Sequence, residues 1–141
     1  MDLDILRLLF DFGLFVLIWI VQLTLYPGFR YYNRDRLIEW HSKYTQGISY
    51  IVAPLMFGQT TISIIQLWNV PSWYTISSFL IIASLWAFTF FEFVPLHNKI
   101  SKGDFNEETL AYLVKRNWWR TFLWTTLLFL SLLNMSNLLT Q

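Results

Sequence analysis

The sequence predicts an all-α integral membrane protein, a four-helix bundle with short amphipathic interfacial helices in its two cytoplasmic loops. Three observations carry that prediction. Hydrophobic residues make up 55% of the chain and charged residues 13%, with a mean hydropathy of +0.43; a soluble domain carries about 25% charged residues. No Asp, Glu, Lys, Arg or His occurs from residue 44 to residue 91, a run of 48 residues. Nine of the ten basic residues fall in or beside two of the connecting loops.

The 141 residues are read as one domain, 1–141. Composition excludes disorder. With no cysteine there is no disulfide scaffold, thiolate metal site, iron–sulfur cluster or thiol nucleophile. A net charge of +1 gives no electrostatic basis for binding nucleic acid.

The first span is predicted over 8–26, apolar except for Asp11, Gln22 and Thr24, with Pro27-Gly28 to stop it. A signal peptide is the competing reading of this segment. It fails because Asp2, Asp4 and Asp11 replace a basic leader and no small-residue cleavage site follows. Arg7 and Asp11, four apart, are expected to pair at the outer interface. In the first loop, with Asn33 or Asp35 as cap, Leu37, Trp40, His41, Tyr44 and Ile48 recur at helical steps and predict an interfacial helix that runs into the second span.

The uncharged run is about 72 Å long as helix, against a bilayer core of about 30 Å, so it must cross twice. The turn at 69–72, Asn-Val-Pro-Ser, divides it into spans over 47–68 and 73–94. Pro54 lies inside the second span and is expected to kink it. In the third loop Gly103-Asp104 is a turn and Asn106 a cap. Glu107 and Glu108 then fall in the first turn of a helix that ends near Lys115 and Arg116, matching the helix dipole. The fourth span is predicted over 121–140, where again no charge occurs. In lipid the backbone must satisfy itself, so each span is a helix; the alternating segments of a barrel are absent. No internal repeat is evident.

Cations set the orientation. Arg30, Arg34, Arg36 and Lys43 lie in the first loop, Lys99, Lys102, Lys115, Arg116 and Arg120 in or beside the third, and only Arg7 opposite. The bias places the long loops in the cytoplasm and both termini outside, in a cell (inner) membrane. Trp40, Trp118 and Trp119 suit the inner interface, Trp68 and Trp73 the outer.

Reactive groups gather on the cytoplasmic side, between the second, third and fourth helices. Glu92 sits about one turn inside an apolar span, where an ionisable group is costly and marks a functional candidate; its expected partner is Arg120. The same pair, buried, could serve packing alone. His41 and His97 come from different loops to one face. They could act directly as acid–base groups with Glu92. With Glu92 or Glu39 they could bind a single iron, copper or zinc ion, and alone they could hold haem axially. No HxxxH, HxxE or ExxH spacing supports a metal. Tyr26, Tyr44, Asn98, Asn117 and Trp118 are candidate substrate-binding residues. The 28 aromatic residues suit a planar lipophilic ligand. Asn134 and Asn137 are expected to bond between helices.

Two groups of segments carry a likeness. One is Val94-Pro95-Leu96-His97-Asn98-Lys99-Ile100, followed by Leu113 and by Asn117-Trp118-Trp119-Arg120-Thr121. The other is Tyr26-Pro27-Gly28-Phe29, then His41-x-x-Tyr44, then Ala53-Pro54-Leu55-Met56. The chain resembles the small four-helix membrane family known as domain of unknown function 1772 (DUF1772), which includes the fungal anthrone oxygenases. His97 stands where that family's pattern has Asn or another small polar residue. The resemblance implies a four-helix bundle with Asn98, Asn117 and Arg120 near a polar pocket, and oxidation of a polycyclic phenol without a classical cofactor.

Three functions stay open at this level. An oxidoreductase or oxygenase would use His41 or His97 as base, Arg120 as oxyanion partner and Glu92 to orient the histidine. A metal- or haem-binding protein would use the histidines as ligands. A carrier, small transporter or assembly subunit would use Glu92 and Arg120 in packing or a pathway, and as a transporter would need to oligomerise. Membrane lipids and a lipophilic small molecule are the expected partners.

Overall fold

The computed structural model describes residues 2–139, with backbone alone for Asp2, Leu138 and Leu139. It is all helix, with no strand among the described residues. Four helices run up and down. The first begins with Asp2–Ile20 and continues through a wider turn, Val21–Leu25, to Tyr31. The second is Arg34–Asn69. The third is Trp73–Phe88, continued through Thr89–Phe93 and Val94–Ser101, and the fourth is Glu107–Leu139. The first and third each pack on the second and the fourth, so the chain circles the bundle in sequence order.

Three helices, Leu3–Tyr31, Arg34–Asn69 and Trp73–Ser101, are long and apolar enough to cross a membrane. The first loop's helix runs into the second span, as the sequence predicts, whereas the third loop's helix does not end near Lys115 and Arg116. Residues 34–46 simply begin the 36-residue second helix, and 107–120 begin the 33-residue fourth. No helix breaker separates them from the spans, so propagation continues through. The second helix also passes Pro54 without interruption.

Nor does Pro27-Gly28 end the first helix where expected. Two of the helices carry a π turn, Val21–Leu25 and Thr89–Phe93, and each is followed two residues later by a proline, Pro27 and Pro95. A proline in a helix clashes with the carbonyl four residues back. Those carbonyls, of Leu23 and Phe91, lie inside the widened turns. The extra residue takes up the clash, and the helix goes on.

The ends are defined chemically. Ser72 and Thr75 form a capping box, the Ser72 Oγ accepting from the Thr75 amide at 3.2 Å and the Thr75 Oγ1 from the Ser72 amide at 2.9 Å. Asn106 Oδ1 accepts from the Thr109 amide at 2.9 Å. The third helix closes in a Schellman turn: Asp104 N–H donates to Lys99 O, Gly103 N–H donates to Ile100 O, and Gly103 takes φ 76°. Arg34 holds this turn down, donating to the carbonyls of Gly103 and Phe105 and lying 4.9 Å over the Phe105 ring.

Leu14, Ile18, Met56, Ile82, Leu85, Trp124 and Leu127 fill the middle of the bundle. Interhelical hydrogen bonds support them, from Trp19 Nε1 to Thr125 at 3.1 Å and from Trp86 Nε1 to Thr60 at 2.8 Å. In a bilayer such packing and bonding, rather than the hydrophobic effect, hold helices together.

Arg7 and Asp11 do pair, and both are fully buried within the bundle. Arg7 Nε reaches both Asp11 oxygens at 2.9 Å, and Arg7 Nη1 donates to Gln66 at 3.3 Å. Gln59 donates to Asp11 at 2.6 Å, and Ser131, itself bonded to Tyr74, donates to Asp11 as well. Asp4 accepts from Gln66 at 2.9 Å and from Asn134 at 3.2 Å, so the expected interhelical role of Asn134 is met. This end of the bundle thus holds a polar network spanning all four helices. An i,i+4 pair looks the same in sequence whether its face is exposed or buried.

Candidate functional site

At the other end of the bundle a half-open cavity of about 270 Å³ lies among the first, second and third helices. Only Arg120 enters it from the fourth, whereas the sequence placed the site between the second, third and fourth. Its wall is apolar (Leu17, Ile18, Val21, Ile48, Val52 and Phe93 among others) and its polar groups are concentrated in Tyr26, Tyr44, His97, Asn98 and Arg120. Ser49, Val94 and Asn98 are exposed and mark a mouth between the second and third helices.

His41 and His97 do meet. Tyr26 Oη lies 2.9 Å from His97 Nε2, His97 Nδ1 lies 2.8 Å from His41 Nε2, and His41 Nδ1 lies 2.9 Å from Ser101 Oγ. Three links join the cavity wall to the half-buried Ser101 at the end of the third helix. The rings pack as well as bond. The imidazoles stack with centroids 5.0 Å apart and an interplanar angle of 29°, and Phe29 stands edge-on to His41 at 5.3 Å. Such a chain is consistent in two senses, with every proton pointing towards Ser101 or every proton pointing towards Tyr26. Reversing it carries one proton from end to end.

This geometry does not suit a metal. Two imidazole nitrogens sharing a tetrahedral ion would stand about 3.3 Å apart, each about 2.0 Å from the ion and aimed at it rather than at the other ring. His41 and His97 touch at 2.8 Å, and all four ring nitrogens are engaged. Stacked rings in contact leave no room for haem between them. No three His, Asp or Glu side chains among the described residues are grouped to hold an ion.

Glu92 is elsewhere. Its carboxylate takes Arg116 Nε at 2.5 Å, Arg116 Nη2 at 3.0 Å and the Tyr112 hydroxyl at 2.9 Å, in the groove between the third and fourth helices. The expected Glu92–Arg120 pair is not formed, and Glu92 contacts neither histidine. Glu92 and His97 are five residues apart, about 140° round a regular helix, so Glu92 faces the fourth helix instead of the histidines. Glu92 also holds the Tyr112 phenol above its ordinary value by accepting its hydrogen bond.

Arg120 is buried, 7% exposed, with its guanidinium 4.3 Å over Phe93 and 5.1 Å over Trp124. It donates to the Asn117 amide oxygen at 3.5 Å and lies beside the Tyr26 hydroxyl, and its Nε has no partner. Asn117 sits behind Arg120 rather than in the cavity. Its Nδ2 donates to Gln22 Oε1 at 2.9 Å, and Gln22 Nε2 donates to Val114 O at 3.3 Å. Trp118 also lies off the cavity, 47% exposed and edge-on to Trp19 at 5.8 Å. Tyr44 lines the cavity beside Phe29, and Asn98 stands at its mouth.

Sequence reasoning passed over Gln22, Ser101 and Phe93. Gln22 had a signal, a polar residue inside an apolar span one turn before Tyr26. Ser101 and Phe93 had none. No protein-family profile, curated protein or solved structure matches the chain.

Proposed function

We propose that this is a multi-pass protein of the inner membrane, with both termini outside and both long loops in the cytoplasm. In this reading it removes a proton from a lipophilic aromatic or quinone-like molecule as the opening step of its oxidation. The carrying observation is the chain Tyr26–His97–His41–Ser101, one end lining an apolar cavity and the other half-buried.

The substrate enters through the mouth between the second and third helices, and its oxygen meets Tyr26 and Arg120. Tyr26 Oη takes the substrate proton as its own passes to His97 Nε2. The His97 Nδ1 proton passes to His41 Nε2, leaving His41 doubly protonated and bonded to Ser101, from which the proton reaches water. Arg120 faces the oxyanion left behind. The electrons pass to dioxygen or a quinone; the resemblance to the anthrone oxygenases supports dioxygen. Glu92, Asn117 and Trp118 have no contact with the substrate in this scheme.

The test uses purified protein in lipid nanodiscs with 1,4-naphthohydroquinone and dioxygen, which give the quinone and hydrogen peroxide. Turnover above empty nanodiscs is expected in the wild type. In Tyr26→Phe and His41→Phe it should fall by about 100-fold, the usual contribution of a positioned acid–base group, with binding retained. Full turnover in both variants overturns the mechanism. Binding without turnover in the wild type overturns the enzymatic reading and leaves a carrier.

A further inference from the structure

The two deeply buried arginines of this chain are treated differently. Arg7 meets a carboxylate, both Asp11 oxygens at 2.9 Å from its Nε. Arg120 meets none among the described residues. Its side chain is held by a neutral amide oxygen and by two aromatic faces, and its Nε points to no protein acceptor. A buried charge without a counter-charge is costly, and a protein ordinarily pairs it. Here the residues that could have been acidic, Asn117 and Gln22, are their amide counterparts, bonded to each other and to the Val114 carbonyl. Arg120 also lines the cavity, the one side of its surroundings that the protein leaves unfilled.

We propose that the cavity holds the monoanion of its ligand more tightly than any neutral form: the phenolate or enolate left once the proton has passed to Tyr26, or a carboxylate that imitates it, whose charge completes the environment of Arg120. Gln22 and Asn117 are positioning residues. They steer the guanidinium over Phe93 towards the cavity and withhold the negative charge that would neutralise it. Arg120 is the one cation in the cavity wall, and the other polar groups there are neutral, so a single acidic oxygen matches what it offers and a ligand with two charges does not. This deepens the reading of the site given above and rests on it.

The test compares 1-naphthoate with its uncharged isostere methyl 1-naphthoate, by calorimetry on full-length protein in nanodiscs with empty nanodiscs as blank. A hydrogen-bonded buried charge pair predicts that the wild type prefers the acid by about ten-fold or more. Asn117→Asp places a carboxylate against Arg120. The preference should collapse to about one, with a melting temperature equal to or above that of the wild type, since the internal pair relieves a buried charge. Arg120→Gln should lose the preference as well and still bind the ester. Equal binding of acid and ester by the wild type overturns the inference while the cavity reading stands. So does undiminished preference in a folded Asn117→Asp or in Arg120→Gln. Binding of neither probe above the blank overturns the cavity reading, and the inference with it.

Discussion

Asp11→Ala is the perturbation whose consequence can be worked most fully. Asp11 accepts from Arg7, Gln59 and Ser131 at 0% exposure. Removing it leaves Arg7 with one amide oxygen, that of Gln66 at 3.3 Å, and the Tyr74 ring 6.0 Å away. Neither supplies a counter-charge. Breaking a buried ion pair by deleting one partner costs about 3–5 kcal/mol. The neutral bonds lost with it matter less: interhelical hydrogen bonds in lipid average about 0.6 kcal/mol, and Ser131 keeps Tyr74. The stranded charge therefore dominates. At about 3 °C per kcal/mol for a chain of this size, thermal unfolding followed by circular dichroism in one detergent should shift down by about 10–15 °C. The double variant Arg7→Met/Asp11→Leu removes both charges and should recover at least half of that loss, because apolar replacement of a whole pair is often neutral. A single variant within about 1 kcal/mol of wild type would refute the reasoning, and so would a double variant no more stable than the single.

Two further outcomes are expected from the fold. Gly103→Ala forces an alanine to φ 76°, with its Cβ 3.1 Å from Ile38, and should cost about 1–2 kcal/mol in the same unfolding measurement, while Gly28→Ala, whose Cβ meets nothing within 4 Å, should cost less. Glu92→Gln should leave ligand binding and turnover at wild-type levels, because the carboxylate faces Arg116 and Tyr112; loss of turnover would return Glu92 to the site.

Helix number and position were legible in the sequence because solvent chemistry along an axis is a matter of counting. The uncharged run from 44 to 91 can only be two long helices, and the structure turns it at 70–72. The meeting of His41 and His97 was also legible, since both sit near helix ends that an up-and-down bundle brings together. Azimuth was harder. Counting fixes how deep Glu92 lies but not which helix it faces, and each residue inserted into a helix rotates the rest of that helix by about 100°. The π turns at Val21–Leu25 and Thr89–Phe93 break the wheel at the two places where the site is built. Their sequence trace is Pro27 and Pro95, read as a stop and as part of a motif. The burial of Arg7 and Asp11 was not legible for a related reason. Spacing shows that they pair but not which way the pair faces; Gln59, Ser63 and Gln66, polar at helical steps on the second helix and all buried, were the hint.

The second helix is 36 residues long, about 54 Å, and a lipid core is about 30 Å thick. In the proposed topology, with the Asn69 end at one edge of that core, His41 stands about 42 Å along the axis, past the core's far edge. A guest molecule could keep its greasy body below the waterline while its acidic end is handled in the wet layer. On the proposed mechanism, protons shed there would enter the aqueous phase without crossing hydrocarbon, and the overhang of one helix would be what raises the chemistry to that height.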